Sequence, residues 1–85
     1  MKFIMLARFR RRLTKAETDT TDKLIKANPE VKVILIDWVL GSYDGVLVAE
    51  APNEEAWLKF VEPMSEYLIS ETLIAIPRER VLEII

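Results

Sequence analysis

Apolar positions in this chain change period five times. Lys2 to Phe9 is nearly continuous apolar sequence, short enough for a strand. Leu13 to Asn28 changes to a helical period. Thr14 and Glu17 form a capping box at its start, and Pro29 stops it after Asn28. Its apolar face is thin: Leu13, Ala16, Leu24, Ile25 and Ala27, with Thr20 and Thr21 between. Val31 to Leu40 is a long β-branched run and predicts a second strand. Gly45 to Ala51 predicts a third. Pro52-Asn53 opens a second helix, with Asn53 as N-cap and Glu54 and Glu55 in the first turn. Ala56, Trp57, Phe60, Val61, Met64, Tyr67 and Leu68 define its buried face. Pro63 falls within that stripe and must kink the helix or start a short second one. Glu71 to Ile76 predicts the last strand. Arg78 to Ile85 predicts a terminal helix with Val81, Leu82 and Ile85 inward.

The order β-α-β-β-α-β, with right-handed crossovers, specifies a ferredoxin-like α+β domain. It has a four-stranded antiparallel sheet and both helices on one face. Residues 1–85 form a single domain.

The strand faces carry a further expectation. In the first strand Phe3, Met5, Ala7 and Phe9 oppose Ile4 and Leu6. In the second, Val33, Leu35 and Val39 oppose Ile34, Ile36, Trp38 and Leu40. In the third, Val46 and Val48 oppose Leu47 and Ala49. In the fourth, Ile74 and Ile76 oppose Leu73 and Ala75. Both faces are apolar, whereas a solvated face would alternate with polar residues. Two helices cover one face only. The other is expected to be buried by a second copy, sheet on sheet, giving a dimeric α+β barrel or a larger even assembly.

Composition narrows the chemistry. With 85 residues the core is small, and no cysteine is present to staple it, so oligomerisation is the remaining route to stability. The absence of cysteine and histidine removes the thiol nucleophile, the commonest metal ligands and histidine ligation of haem. No metal site and no cofactor is expected. No run approaches a membrane span, and nothing resembles a signal peptide, so a cytoplasmic protein without membrane contact is expected. Glutamine is absent and asparagine occurs only at positions 28 and 53, a mix that suits a thermophilic source.

Net charge is −2 but unevenly spread. Before Glu17 every charge is positive: Lys2, Arg8, Arg10, Arg11, Arg12 and Lys15. The arginines suit a solvated edge with ion pairs to Glu17 or to a partner. Phe9 is the only aromatic among them and the chain is acidic overall, so no nucleic-acid partner is expected.

Between the second and third strands lies Gly41-Ser42-Tyr43-Asp44-Gly45. It reads as a tight turn with a tyrosine and an aspartate at its apex, and glycine on both sides supplies backbone freedom. Tyr43 and Asp44 are the sharpest candidate pair. A phenol and a carboxylate at a barrel mouth can orient a ligand or move a proton. Against this, Asp44 is a good acceptor for turn N–H groups. Asp37 and Glu50 interrupt apolar strands, either as bases of raised pKa or as partners of arginines at the sheet ends. Trp38 is a candidate cavity wall, whereas Trp57 fits the core stripe. Gly41 and Gly45 lack the sequel of a phosphate loop.

The turn Gly41-Ser42-Tyr43-Asp44, the strand end Glu50-Ala51-Pro52 and the segment Glu71-Thr72-Leu73-Ile74-Ala75-Ile76 together resemble the GYD domain family. The resemblance covers most of the chain and is best over residues 38–76. It implies a ferredoxin-like fold of the dimeric α+β barrel class, in small bacterial and archaeal proteins with no assigned activity. The same hairpin is similar to the effector-binding domain of the leucine-responsive (Lrp/AsnC) regulators, without their helix-turn-helix.

Three functions fit. The first is a homo-oligomeric small-molecule binding module using Tyr43, Asp44, Arg8, Trp38 and Glu50. The second is a cofactor-independent enzyme, isomerase- or monooxygenase-like, with Asp44 or Glu50 as base and Arg8 as anion partner. The third is an assembly protein whose barrel interior is filled by Met5, Phe9 and Trp38.

Overall fold

The computed structural model describes residues 1–85. Strand β1 (Lys2–Phe9) leads to helix α1 (Lys15–Ala27), followed by β2 (Lys32–Trp38) and β3 (Gly45–Glu50). Helix α2 (Glu54–Val61) runs into a short 3₁₀ helix (Glu62–Glu66). Strand β4 (Leu68–Ala75) and helix α3 (Arg78–Ile84) complete the chain. The sheet order is β2-β3-β1-β4, with every neighbouring pair antiparallel. This is the ferredoxin-like βαββαβ fold.

Local chemistry sets the helix ends. The Thr14 hydroxyl accepts from the Ala16 N–H, and Glu17 reaches back to Thr14, completing the capping box. Asn28 closes α1 with its backbone N–H on the Leu24 and Ile25 carbonyls. The Asn53 side chain caps α2 through the Ala56 N–H. Pro63 lacks the N–H that an α-helix requires, so α2 tightens into the 3₁₀ turn.

The predicted helical stripe therefore ends early. Tyr67 and Leu68 are buried, but Leu68 opens β4, where it pairs with Phe9. The last strand begins three residues before the expected Glu71, because β1 is long enough to pair all the way back to Leu68.

The core lies between the sheet and the helical layer. Phe3, Met5, Ala7, Leu47 and Ala49 from the sheet meet Ala56, Trp57, Phe60 and Met64. Phe3 stacks on Trp57 with ring centroids 4.8 Å apart, and Trp57 meets Phe60 at 5.8 Å. The indole N–H of Trp57 donates to the Thr72 hydroxyl at 3.1 Å, so the buried ring leaves no unpaired donor.

Three expectations are corrected. In β2 the register slips between Val33 and Leu35. This bulge reverses the alternation. Val33, Ile36 and Trp38 lie opposite Ala49, Leu47 and Gly45 on the helix side, while Leu35 and Asp37 lie opposite Val48 and Val46 on the open side. Helix α3 forms, but Val81, Leu82 and Ile85 do not face inward. Ile85 is 89% exposed, because the helical layer is already occupied by α1 and α2. Only Gly41 uses a glycine-specific conformation, at φ +142°; Gly45 has an ordinary backbone.

The open face has a definite pattern. The row Leu35–Val48–Ile4–Leu73 crosses all four strands, joined by Val46, Leu6 and Ile69. At one end lies the row Lys32–Glu50–Lys2, and at the other Asp37, Glu71 and Arg8. The result is an apolar band between two charged margins. No helix is long and apolar enough to cross a membrane.

Candidate functional site

The open face and the helix face each present a depression. The first lies at the charged margin beside the β2–β3 loop. The loop is wider than a tight hairpin turn. It is closed by the Val39 N–H donating to the Asp44 carbonyl at 2.9 Å. Asp44 then continues the sheet: its N–H donates to the Ala7 carbonyl at 2.8 Å, and its Oδ2 accepts the Phe9 N–H at 2.8 Å. Oδ2 of its exposed carboxylate thus fixes the loop to β1.

This attachment aims Tyr43 across the sheet. The Tyr43 hydroxyl donates to Glu71 Oε2 on β4 at 2.7 Å. The Arg8 guanidinium carbon sits 5.2 Å from the Tyr43 ring centre, and Arg8 Nε donates to the Ser42 carbonyl at 2.9 Å. The hydrogen bond to Glu71 and its negative charge push the Tyr43 phenol above its ordinary pKa, with Arg8 opposing. Tyr43 therefore stays protonated and acts as a donor at neutral pH. Leu6, Ile69 and Ser70 complete a shallow depression of about 210 Å³.

The second depression lies between α1 and the helix-facing side of β1, β2 and β3. It measures about 160 Å³. Met5, Phe9, Leu47 and Met64 form its apolar walls, and Glu17, Thr18 and Thr21 line the α1 side. Trp38 meets Phe9 edge-on at 5.2 Å and is 64% exposed at the rim. The Tyr67 and Thr21 hydroxyls are 2.8 Å apart and tie the start of β4 to α1.

Of the residues singled out from sequence, Tyr43 and Arg8 share one cluster, and Asp44 supports it from the backbone. Trp38 lies on the other side of the sheet. Glu50 lies at the far end of β3 from Asp44, roughly 20 Å away at a strand's rise per residue, between Lys2 and Lys32 in the register. A single protomer therefore does not join Asp44 and Glu50. The arginine run is structural where its partners are visible. Arg10 Nε donates to the Ser65 carbonyl and Arg11 to the Glu66 carbonyl, satisfying the end of the 3₁₀ helix. Arg11 also lies 3.8 Å from Glu17.

Sequence reading missed Glu71 and Glu17 as site residues. Glu71 is the one charged position in β4 and shares the phase of Ile69 and Leu73, which marks it as an interruption of the open face. Glu17 was legible as a capping residue and as an ion-pair partner of the arginines, a pairing seen with Arg11, but not as a cavity residue. Its spacing of four from Leu13 and from Thr21 places it on the inner face of α1, where it is 8% exposed. The Thr14 hydroxyl donates to Glu17 Oε2 at 2.6 Å, and this bond holds its carboxyl below the ordinary value, with Arg11 assisting.

No family model matches the chain, and no curated protein does. Solved structures do. LrpC of B. subtilis superposes with a TM-score of 0.62 at 15% identity, over 89% of this chain and 51% of LrpC. The chain thus spans about half the length of that protein. FFRP-DM1 superposes at 0.59 with 25% identity, over 88% of this chain and 97% of its own. A dimeric ferredoxin-like protein of unknown function from Thermobifida fusca superposes at 0.51 with 13% identity, over 87% and 89% of the two chains. The chain accordingly has the ferredoxin-like α+β fold that occurs in Lrp-type and ferredoxin-like proteins.

Proposed function

We propose that this chain is a self-assembling small-molecule binding module. Two copies pack their open sheet faces together at ~10 Å, forming an α+β barrel. The observation that carries this reading is the apolar row Leu35–Val48–Ile4–Leu73, exposed or half-buried across the whole sheet and bordered by charges. A face of this kind costs free energy in water and marks an interaction surface. One margin is net positive and the other net negative, so a second copy related by a two-fold axis running across the strands would bring opposite charges together. The like fold of the T. fusca protein, described as dimeric, supports the same reading.

Pairing would wall in the Tyr43–Glu71–Arg8 cluster and turn its shallow depression into a site between copies. That site offers a guanidinium, a phenol oxygen and a carboxylate above an apolar floor, which suits a small polar effector. The turn Gly41-Ser42-Tyr43-Asp44 keeps the resemblance to GYD domains within this reading.

The test is the mass of the chain in solution beside that of Ile4→Glu. Ile4 stands in the middle of the open face, away from the helical core. The native chain is expected to run as a dimer or larger even assembly, and Ile4→Glu as a folded monomer. A native monomer, or an Ile4→Glu variant with undiminished assembly, rejects the proposal.

A further inference from the structure

We propose that the cavity between α1 and the sheet binds a small primary amine with a compact apolar body. It lies on the side of the sheet away from the open face, so this inference does not rest on self-assembly. The cavity of about 160 Å³ has walls that are mostly apolar, with Met5, Phe9, Leu47 and Met64 among them. Its charged lining residues are Glu17, Asp22 and Asp37, all acidic; no lysine or arginine lines it. Asp37 borders it from a register position on the open side of the sheet, so Glu17 and Asp22 carry the field.

Glu17 has the geometry of a receptor for an ammonium group. Its side chain is nine-tenths buried, with Oε1 open to water. Its Oε2 accepts both Thr14 bonds, from the hydroxyl at 2.6 Å and the N–H at 3.4 Å. Its Oε1 has only the Arg11 guanidinium, at 3.8 Å, beyond hydrogen-bond length. One oxygen of a nearly buried carboxylate is therefore left for another donor. The Thr21 hydroxyl donates to the Glu17 carbonyl at 3.0 Å, so Tyr67 donates in the Thr21–Tyr67 pair; both oxygens together keep further acceptor capacity for the remaining N–H groups of an ammonium.

The same features exclude other ligand classes. An anion would face Glu17 and Asp22, offset only by Arg11, whose guanidinium lies outside the lining 3.8 Å from Glu17. A wholly apolar molecule would strip water from Glu17 Oε1 without replacing its hydrogen bond. A primary amine meets both demands: its charge pairs with Glu17 and its body fills the wall between Phe9 and the methionines. Arg11, mostly exposed, gives way at small cost because its ion pair is long and solvated.

The three methionines provide the readout. Met5 and Met64 line the cavity, whereas Met1 lies outside it. With methyl-labelled methionine, the chain is titrated with cyclohexylamine, cyclohexanol and cyclohexanecarboxylate at neutral pH. Saturable shifts of the Met5 and Met64 methyls are expected with the amine and not of Met1. The alcohol is expected to bind about tenfold more weakly, and the carboxylate not at all. Glu17→Gln should bring amine binding to the level of the alcohol. Thr18→Trp, a surface substitution at the cavity edge that leaves the capping box intact, should block both ligands, and it decides the matter if Glu17→Gln fails to fold. Equal binding of the three probes, absence of saturation, or unchanged binding in Thr18→Trp overturns the proposal.

Discussion

The hydroxyl of Tyr43 and the carboxylate of Glu71 meet at 2.7 Å although 28 residues separate them in the chain. The contact joins the β2–β3 loop to β4, the far edge strand, across the open face of the sheet. It makes Tyr43 a donor held in one direction, with Arg8 against its ring. Because Glu71 accepts that bond and carries a negative charge, the Tyr43 phenolate is disfavoured. Its titration, followed by phenolate absorbance, is expected above the ordinary tyrosine range. Glu71→Gln should bring it back down. The folded pKa being raised, the contact stabilises the fold fully below the unfolded tyrosine pKa and is lost as pH rises through the folded value. Identical titration in the native chain and in Glu71→Gln would contradict this assignment.

Glu17 has the opposite sign. Its folded pKa is lowered, first by the Thr14 hydroxyl bond. Its contribution is present above the unfolded carboxylate pKa and fades as pH falls through the folded one. Acid unfolding of Thr14→Ala should therefore begin at higher pH than that of the native chain. At neutral pH the lost cap should cost about 1 kcal/mol by chemical denaturation. An acid transition unmoved by Thr14→Ala would separate the cap from the pH dependence.

Asp44 holds the β2–β3 loop to β1 through its Oδ2. Asp44→Asn retains an acceptor for the Phe9 N–H, whereas Asp44→Ala does not. The alanine variant is expected to lose about 1 kcal/mol more than the asparagine variant. An asparagine variant as damaged as alanine would point to a need for the negative charge itself.

The architecture was legible because local signals agreed with one another. Thr14 and Glu17 marked one helix start and Asn53 the other, and the alternation of Phe3, Met5 and Ala7 marked the buried side of β1. What escaped had weak local signals. The unbroken apolar run Val33–Ile36 contains no polar residue to register a bulge, so the face of Trp38 depended on the pairing with β3. The stop of the helical stripe before Leu68 was decided by the reach of β1 rather than by residues nearby. Thr18 and Thr21 are too short and polar to fill the space under α1, so the cavity follows from side-chain volume, which periodicity does not report. Glu71 needed a partner 28 residues away before it read as part of a site.

The open sheet face is proposed as the interface between copies. The ladder hydrogen bonds lie in the sheet plane, so Val48→Arg on that face should destroy assembly with little loss of the fold, whereas Phe60→Ala in the core should cost about 3–5 kcal/mol of stability. Phe60 is fully buried under Trp57, on the other side of the sheet.

The most direct measurement is the native mass of the chain across a dilution series, by sedimentation or by mass spectrometry under gentle conditions. Assembly through the open face predicts a dimer or larger even multiple of the 9.8 kDa chain that dissociates only on strong dilution or on mutation of Ile4 or Val48. A mass of one chain at every concentration would contradict it.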